Sequence, residues 1–493
     1  MSLGVPFGTM FRPLSRPEAI RPVLAPRPGA GRIAIGGLAA ALAVALSACT
    51  KAEPPVVVDT PQPQVTVSSV DAAVTAASGN WTTFGRTAGH ASELTGMPST
   101  SHAAKGWSAA LDGAVYAQPL LVNGRMIAAT ENDSIYGLSP TTGKILWRAH
   151  VGTPERRSAL PCGNIDPLGI TGTPVYDPLT KLVYAVAETS GAHHTLVAVD
   201  PGSGTVKMRR NVDPPGVAPL AYQQRAALLA VGHTIFVAYG GLAGDCGNYI
   251  GTLLGVPDTG TGAITRWRPG TPREGGMWNP AGPALAPNGH LLVPVGNGQV
   301  TSGGFDGSDS LTELTTGLRR VGYFAPSQWG NDNAGDQDLS SGSPGIVTVG
   351  GTTWAVIVGK SGTAYLTKVG ALGGIGGQKA AVAACHSLGT SATYGTTVVQ
   401  NCPSSGQLMA FTVGNGTLTR KWTASVSTWG PAAGGGRVFA VEQNGTFSIF
   451  SIATGHRVAS VRLGSVPHFV TPMLTKTSAY VGTMAGVTQV KLS

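Results

Sequence analysis

The stretch Ser134-Ile-Tyr-Gly-Leu-Ser-Pro-Thr-Thr-Gly-Lys-Ile-Leu-Trp147 limits what this chain can fold into more than any other. Ile135, Tyr136 and Leu138 form one short apolar run, and Ile145, Leu146 and Trp147 form a second. Pro140 to Gly143 makes the corner between them, with Gly143 free to take the positive φ that tight turns need. The stretch therefore reads as a β-hairpin. Looser copies recur at Leu196–Lys207, Leu408–Trp422 and Ser448–Val458.

A hairpin repeated at this spacing predicts an all-β fold, a β-propeller of four-stranded blades. The 71 glycines and a charged fraction of only 12% suit many short strands joined by tight turns. Full repeats are expected at about 115–152, 169–213, 220–270, 277–326, 339–379, 391–425 and 428–464. The last, 466–493, has room for three strands only. A lone strand near Trp107 would supply its fourth, so that both ends of the chain close the ring and leave no open edge. The count is eight, or seven if one segment is an insertion.

Ahead of the repeats, five arginines are followed by an apolar run from Ile33 to Ala48 that ends on Leu46-Ser47-Ala48-Cys49. The run is short for a membrane span and fits a secretory signal. Its end resembles the lipobox of bacterial lipoproteins, which implies cleavage before Cys49 and a lipid on its thiol. Residues 1–48 are read as signal peptide, 49–79 as a Pro-, Val-, Thr- and Ala-rich extended tether, and 80–493 as the propeller. Loss of the leader takes the 33 Lys and Arg to 28 and the 24 Asp and Glu to 23, so the net charge falls from +9 to +5. The body has no Lys/Arg run, which argues against nucleic acid as a partner.

An exported chain with four further cysteines is expected to form disulfides. Of the three pairings, Cys162–Cys246 and Cys385–Cys402 are expected. Cys162 and Cys246 sit in matching Cys-Gly-Asn contexts, and Cys385 and Cys402 close a short loop. Zinc is disfavoured because no C-x-x-C or Cys/His cluster exists.

Gly137 to Trp147 resembles the repeat of pyrroloquinoline-quinone (PQQ) propellers, roughly A-L-D-x-x-T-G-x-x-x-W. Ser139 stands where Asp is usual, and Asp200 with Gly204 keeps the pattern in the second blade while Met208 takes the Trp place. The resemblance implies that Trp147 docks on a neighbouring blade. It also offers a dehydrogenase reading, in which Asp336 or Asp338 is the general base and Lys360 contacts the quinone beside Ca²⁺. Against that, the chain has no adjacent cysteines and no C-x-x-C-H haem site, and Gly330 rather than Asp follows Trp329.

Asp332, Asp336 and Asp338 then belong to a polar loop at the mouth of the ring. Asp306-Gly-Ser-Asp309 and the run 331–338 could offer oxygen ligands to Ca²⁺, but neither has EF-hand spacing. His193-His194 reads as an exposed hairpin tip. The longest stretch outside the repeats is 305–343, and a recognition surface is expected from Trp278, Asp306, Asp309, Trp329 and Asp338.

The resulting expectation is a lipid-anchored propeller on the extracytoplasmic face of the cell membrane. It binds or scaffolds an envelope protein, peptide or glycan, without catalysis and without a cofactor. In anchor, tether and ring it resembles the lipoprotein propeller of the outer-membrane barrel-assembly machine. The alternatives are a PQQ- and Ca²⁺-dependent alcohol or sugar dehydrogenase, and a small-ligand sensor using the central funnel.

Overall fold

A computed structural model describes residues 79–493. The leader, Cys49 and nearly all of the tether lie outside the described residues. The body is all-β and forms eight sheets, each with a four-stranded antiparallel core.

The first blade runs Leu120–Val122, Arg125–Thr130, Ser134–Leu138 and Ile145–His150. The hairpin that dominates the sequence is thus its outer half. Ser134–Leu138 is buried at every position, whereas Ile145–His150 is mostly exposed. Inner strands are covered on both faces by neighbouring blades, and the outermost strand has a wet face, so apolar density falls from axis to rim. The other blades fall close to the expected repeats. One boundary differs: the fourth strand of the fifth blade is Ala380–Ala383, just past residue 379, because Gly374–Ile375 instead joins the fourth blade, parallel to Phe324–Ala325. The stretch 305–343 is also less irregular than its composition suggests. Ser310–Leu314 and Arg320–Ala325 within it are regular strands of the fourth blade.

The segment ahead of the first blade is stitched into three blades. Trp81 exchanges backbone hydrogen bonds with Leu121 of the first blade at 2.8 and 3.0 Å. Glu93–Leu94 runs parallel to Ala433–Gly434 of the seventh. Ala103–Ala110, which carries Trp107, pairs antiparallel with Gly486–Leu492, so the eighth sheet holds strands from both ends of the described chain.

The Thr-Gly and Trp of the repeat form one device used between consecutive blades. Gly143 has φ +72° and lies under the ring of Trp107 from the eighth blade, where a Cβ would overlap the indole. The Trp107 Nε1–H donates to Pro140 O at 3.1 Å in the same turn. Trp147 repeats this on Gly204 and Pro201, and Trp422 on Gly455 and Ile452. Met208, at the Trp place of the second blade, covers Gly260 in the same way. Ser139, at the usual Asp place, accepts the Thr142 N–H at 3.3 Å, as Asp200 Oδ1 accepts from Gly202 and Ser203 at 2.8 and 2.9 Å. The hydroxyl thus substitutes for the carboxylate in capping the turn.

Replacing Gly143 by Ala imposes a left-handed conformation on a Cβ and drives it into the indole. Gly143→Ala is expected to destabilise by about 1–3 kcal/mol. Exposed Gly124, with positive φ but open space around it, is the control. Equal losses in a denaturant titration would show that backbone strain alone is responsible.

Both expected disulfides are present. Cys162–Cys246 joins the lead-in to the second blade with a loop of the third, at a Cα–Cα distance of 5.9 Å. Cys385–Cys402 ties the end of the fifth blade to the sixth at 5.8 Å.

Candidate functional site

The expected site residues come from three places. Lys360 follows the strand Thr352–Val358 of the fifth blade, Asp336 and Asp338 lie in the connection before that blade, and Trp278 lies before the inner strand of the fourth. The fold brings these four together. The Lys360 ammonium contacts Asp336 Oδ1 at 2.7 Å and Asp338 Oδ2 at 2.6 Å, and lies 6.0 Å from the centre of the Trp278 ring. Asp338 Oδ1 accepts the Asn297 N–H at 2.7 Å, and its carbonyl accepts the Lys360 N–H at 3.0 Å. The side chain of Asp338 is 4% exposed and that of Lys360 14%, whereas Asp336 is 64% exposed. Gly296 and Gly359 flank Asp338 so closely that a Cβ on either would collide with it. Burial raises the Asp338 carboxyl above its ordinary value, against the pull of Lys360. Burial also works to lower the Lys360 ammonium, but the two carboxylates outweigh it and hold the proton more tightly than in an ordinary lysine.

The remaining expected residues make no contact with Lys360. Asp309 is fully buried and accepts the Leu339 N–H at 2.6 Å; burial, with Asp338 and Asp332 nearby, pushes its carboxyl well above the ordinary range. Asp306 caps its own turn by accepting the Ser308 N–H at 3.0 Å. Trp329 is 7% exposed and meets Phe305 edge-on at 5.2 Å, which makes it a packing residue. It opens the helix Trp329–Ala334, where the composition suggests a loop, and Asp332 on that helix is raised to about 6 by burial. Among the described residues, no group of three His, Cys, Asp or Glu side chains is arranged to hold a metal ion.

A second ionisable group escapes a reading of the sequence. His193 is exposed as expected, but His194 is fully buried. Its Nδ1 lies 3.2 Å from Asp213 Oδ1 and its Nε2 3.5 Å from Glu188 Oε2. Burial opposes its charge, yet the two carboxylates raise it to about 9, and hydrogen bonds from His194 hold Asp213 well below the ordinary range despite burial. Glu131 and Asp133, in the turn before the opening hairpin, are raised to about 8 by burial, each further by neighbouring carboxylates.

At the axis of the ring, the lead-in segments of the first, second, third, fourth and eighth blades converge on a cavity of about 20 Å³. That volume takes an occupant the size of one or two waters. Arg225 lines the cavity, its guanidinium 4.0 Å from the Phe469 ring centre and 5.8 Å from that of Trp278. The sequence did carry a signal for it. Arg225 is the only charged residue between Asp213 and Asp245, set against an apolar inner strand.

Comparison with known proteins agrees with this architecture. Residues 98–241 match the family described as outer membrane protein assembly factor BamB. The crystal structure of BamB from Moraxella catarrhalis is similar, with 16% identity, a TM-score of 0.57, and 79% of this chain and all of that one covered. The quinohemoprotein alcohol dehydrogenase from Comamonas testosteroni gives 16% identity and a TM-score of 0.62, covering 87% and 83% of the two chains. A europium-containing methanol dehydrogenase gives 12% and 0.66, covering 86% and 100%. No curated protein sequence matches. At these identities the likeness is one of fold, shared by an assembly factor and by dehydrogenases.

Proposed function

Taking the PQQ-like eight-bladed propeller as the premise, we propose that this chain is a binding or scaffolding protein of the cell envelope, held at the extracytoplasmic face by a lipid on Cys49. Its partner is an envelope protein or a peptide from one. The observation that carries this reading is the state of Lys360. The residue that would hold a quinone is bound by two carboxylates, and Asp338, which would be the base, has one oxygen on Lys360 and the other on the Asn297 N–H. A base so engaged must break a buried ion pair before it can take a proton. The match of residues 98–241 to an assembly-factor family supports an envelope setting, and among the described residues no helix is long and apolar enough to cross a membrane.

Full-length protein carrying a photo-crosslinker in place of half-buried Gln337, next to exposed Asp336, is expected to capture a discrete envelope protein in native membranes. Cys49→Ser is expected to release the protein from those membranes and abolish the crosslink. Saturable PQQ binding with Ca²⁺, and dye reduction lost in Asp338→Asn, would overturn the reading in favour of a dehydrogenase. A Cys49→Ser protein that still sediments with membranes would overturn the anchor.

A further inference from the structure

The axial cavity has a chemical character of its own. Five blades contribute to it, and the side chains that matter are Tyr116, Thr171, Thr173, Arg225, His468 and Phe469. Arg225 is the cation among them. Its Nη2 is shielded from solvent and has no hydrogen-bond partner. A guanidinium carries five N–H donors that all seek acceptors, and a buried donor left unpaired is costly. Burial lowers Arg225 only to about 10, so it stays charged at neutral pH.

Among the described residues no carboxylate lies in ion-pair contact with that charge. Tyr116 and Glu131 are the acids whose fields reach Arg225, and burial raises the Glu131 carboxyl to about 8, which weakens its claim on that charge. Its Oε2 is also occupied by the Gly169 N–H at 2.8 Å and the Thr171 hydroxyl at 3.1 Å. The contrast with Lys360 is direct, since that cation has two carboxylates in contact. Around Arg225 the facing groups are aromatic faces and neutral donors. His468 belongs to this set. Burial, with the charge of Arg225, pushes it down to about 3, so it is a neutral imidazole, and its Nε2 also lacks a partner. Tyr116 packs edge-on to it at 4.9 Å.

We propose that the axial cavity is an anion site in which Arg225 takes the carboxylate of a small organic acid, with Tyr116, Thr173 and His468 as neutral donors around it. A planar guanidinium edge presents two N–H groups at the spacing of two carboxylate oxygens. The size of the cavity selects for a carboxylate with little behind it, such as formate. The bound charge completes the pairing that Arg225 lacks. Occupancy also ties the first, second, third and eighth blades to one ligand at the axis.

Sodium formate exchanged for sodium gluconate at fixed ionic strength tests the site, because gluconate is too large to enter. Formate is expected to raise the melting temperature saturably and to move one ring signal in protein with ¹⁵N-labelled histidines, the signal missing from His468→Gln. Arg225→Gln should weaken formate binding by about tenfold or more, the loss of one charged hydrogen bond, and Arg225→Lys should weaken it less. A wild type with no saturable response, or an Arg225→Gln protein that binds formate as tightly as wild type, overturns the proposal. Should Arg225→Gln fail to fold, the unmodified protein decides: histidine signals indifferent to formate overturn the site, and movement of the His468 signal supports it. Lys360, Asp336 and Asp338 are not among the residues lining the cavity, so a negative result leaves partner capture at the rim standing.

Discussion

Lys360→Met is expected to destabilise the protein by about 3–5 kcal/mol, the cost of leaving one member of a buried ion pair alone. The effect falls on Asp338, not on Asp336. Asp338 is 4% exposed and would keep only the Asn297 N–H, whereas Asp336, 64% exposed, is already solvated. The Asp336 contact is thus a surface pair, worth roughly 0–1 kcal/mol. Asp338→Asn in the same chain removes the stranded charge, so Lys360→Met/Asp338→Asn should recover most of the loss. A guanidinium titration of wild type, both single variants and the double variant measures this coupling. A single Lys360→Met variant within about 1 kcal/mol of wild type would mean that the pair is not holding the loop to the fifth blade.

The second large effect is a fall in stability as pH rises from about 6.5 to 8, set by buried ionisable groups in the first two blades. Glu131 and Asp133 are raised to about 8 and His194 to about 9, so in this window the folded chain keeps protons that the unfolded chain releases. For a group whose pKa is raised on folding, stability is complete below the unfolded value and is lost as pH climbs toward the folded one. Each retained proton contributes a slope of about −1.4 kcal/mol per pH unit. Asp213 is shifted the other way and acts only in strong acid. Urea midpoints at pH 6.5, 7.2 and 8 should therefore decline, and Asp133→Asn should flatten the decline and leave the variant more stable than wild type at pH 8. A wild-type profile that is flat or rising across this interval would rule out protonated carboxylates between these blades.

Much of this molecule is legible in the chain because the blade is a local unit. The Thr-Gly turn, the Trp and the alternation of apolar runs all lie within about forty residues, and each has a direct physical reading. The disulfides and the meeting of Lys360 with Asp336 and Asp338 follow from similar order along successive blades. What stays hidden is burial at strand ends. Glu131-Asn132-Asp133 has the composition of a solvated turn, and His193-His194 that of a hairpin tip. In an isolated sheet both would face water. In a ring, blades press together at their ends and lead-in segments converge on an axis, so the same turn residues become buried and their ionisation shifts. Trp329 fails in the opposite sense. It sits in a polar, Gly-rich run that suggests a surface, but the short helix it opens turns the indole onto Phe305.

The segment from Trp81 to Ala110 has a mechanical consequence. A pull on the chain from its upstream end meets Trp81 on Leu121 first, then Glu93–Leu94 on the seventh blade, and only then Ala103–Ala110 on the last strand. Trp107 carries the load on into the turn at Pro140. Tension delivered at one point is thus shared among three blades before any of them can peel. The longest of these pairings is that of Ala103–Ala110 with the final strand. A body hung from a membrane by one end of its chain would bear drag without opening its ring.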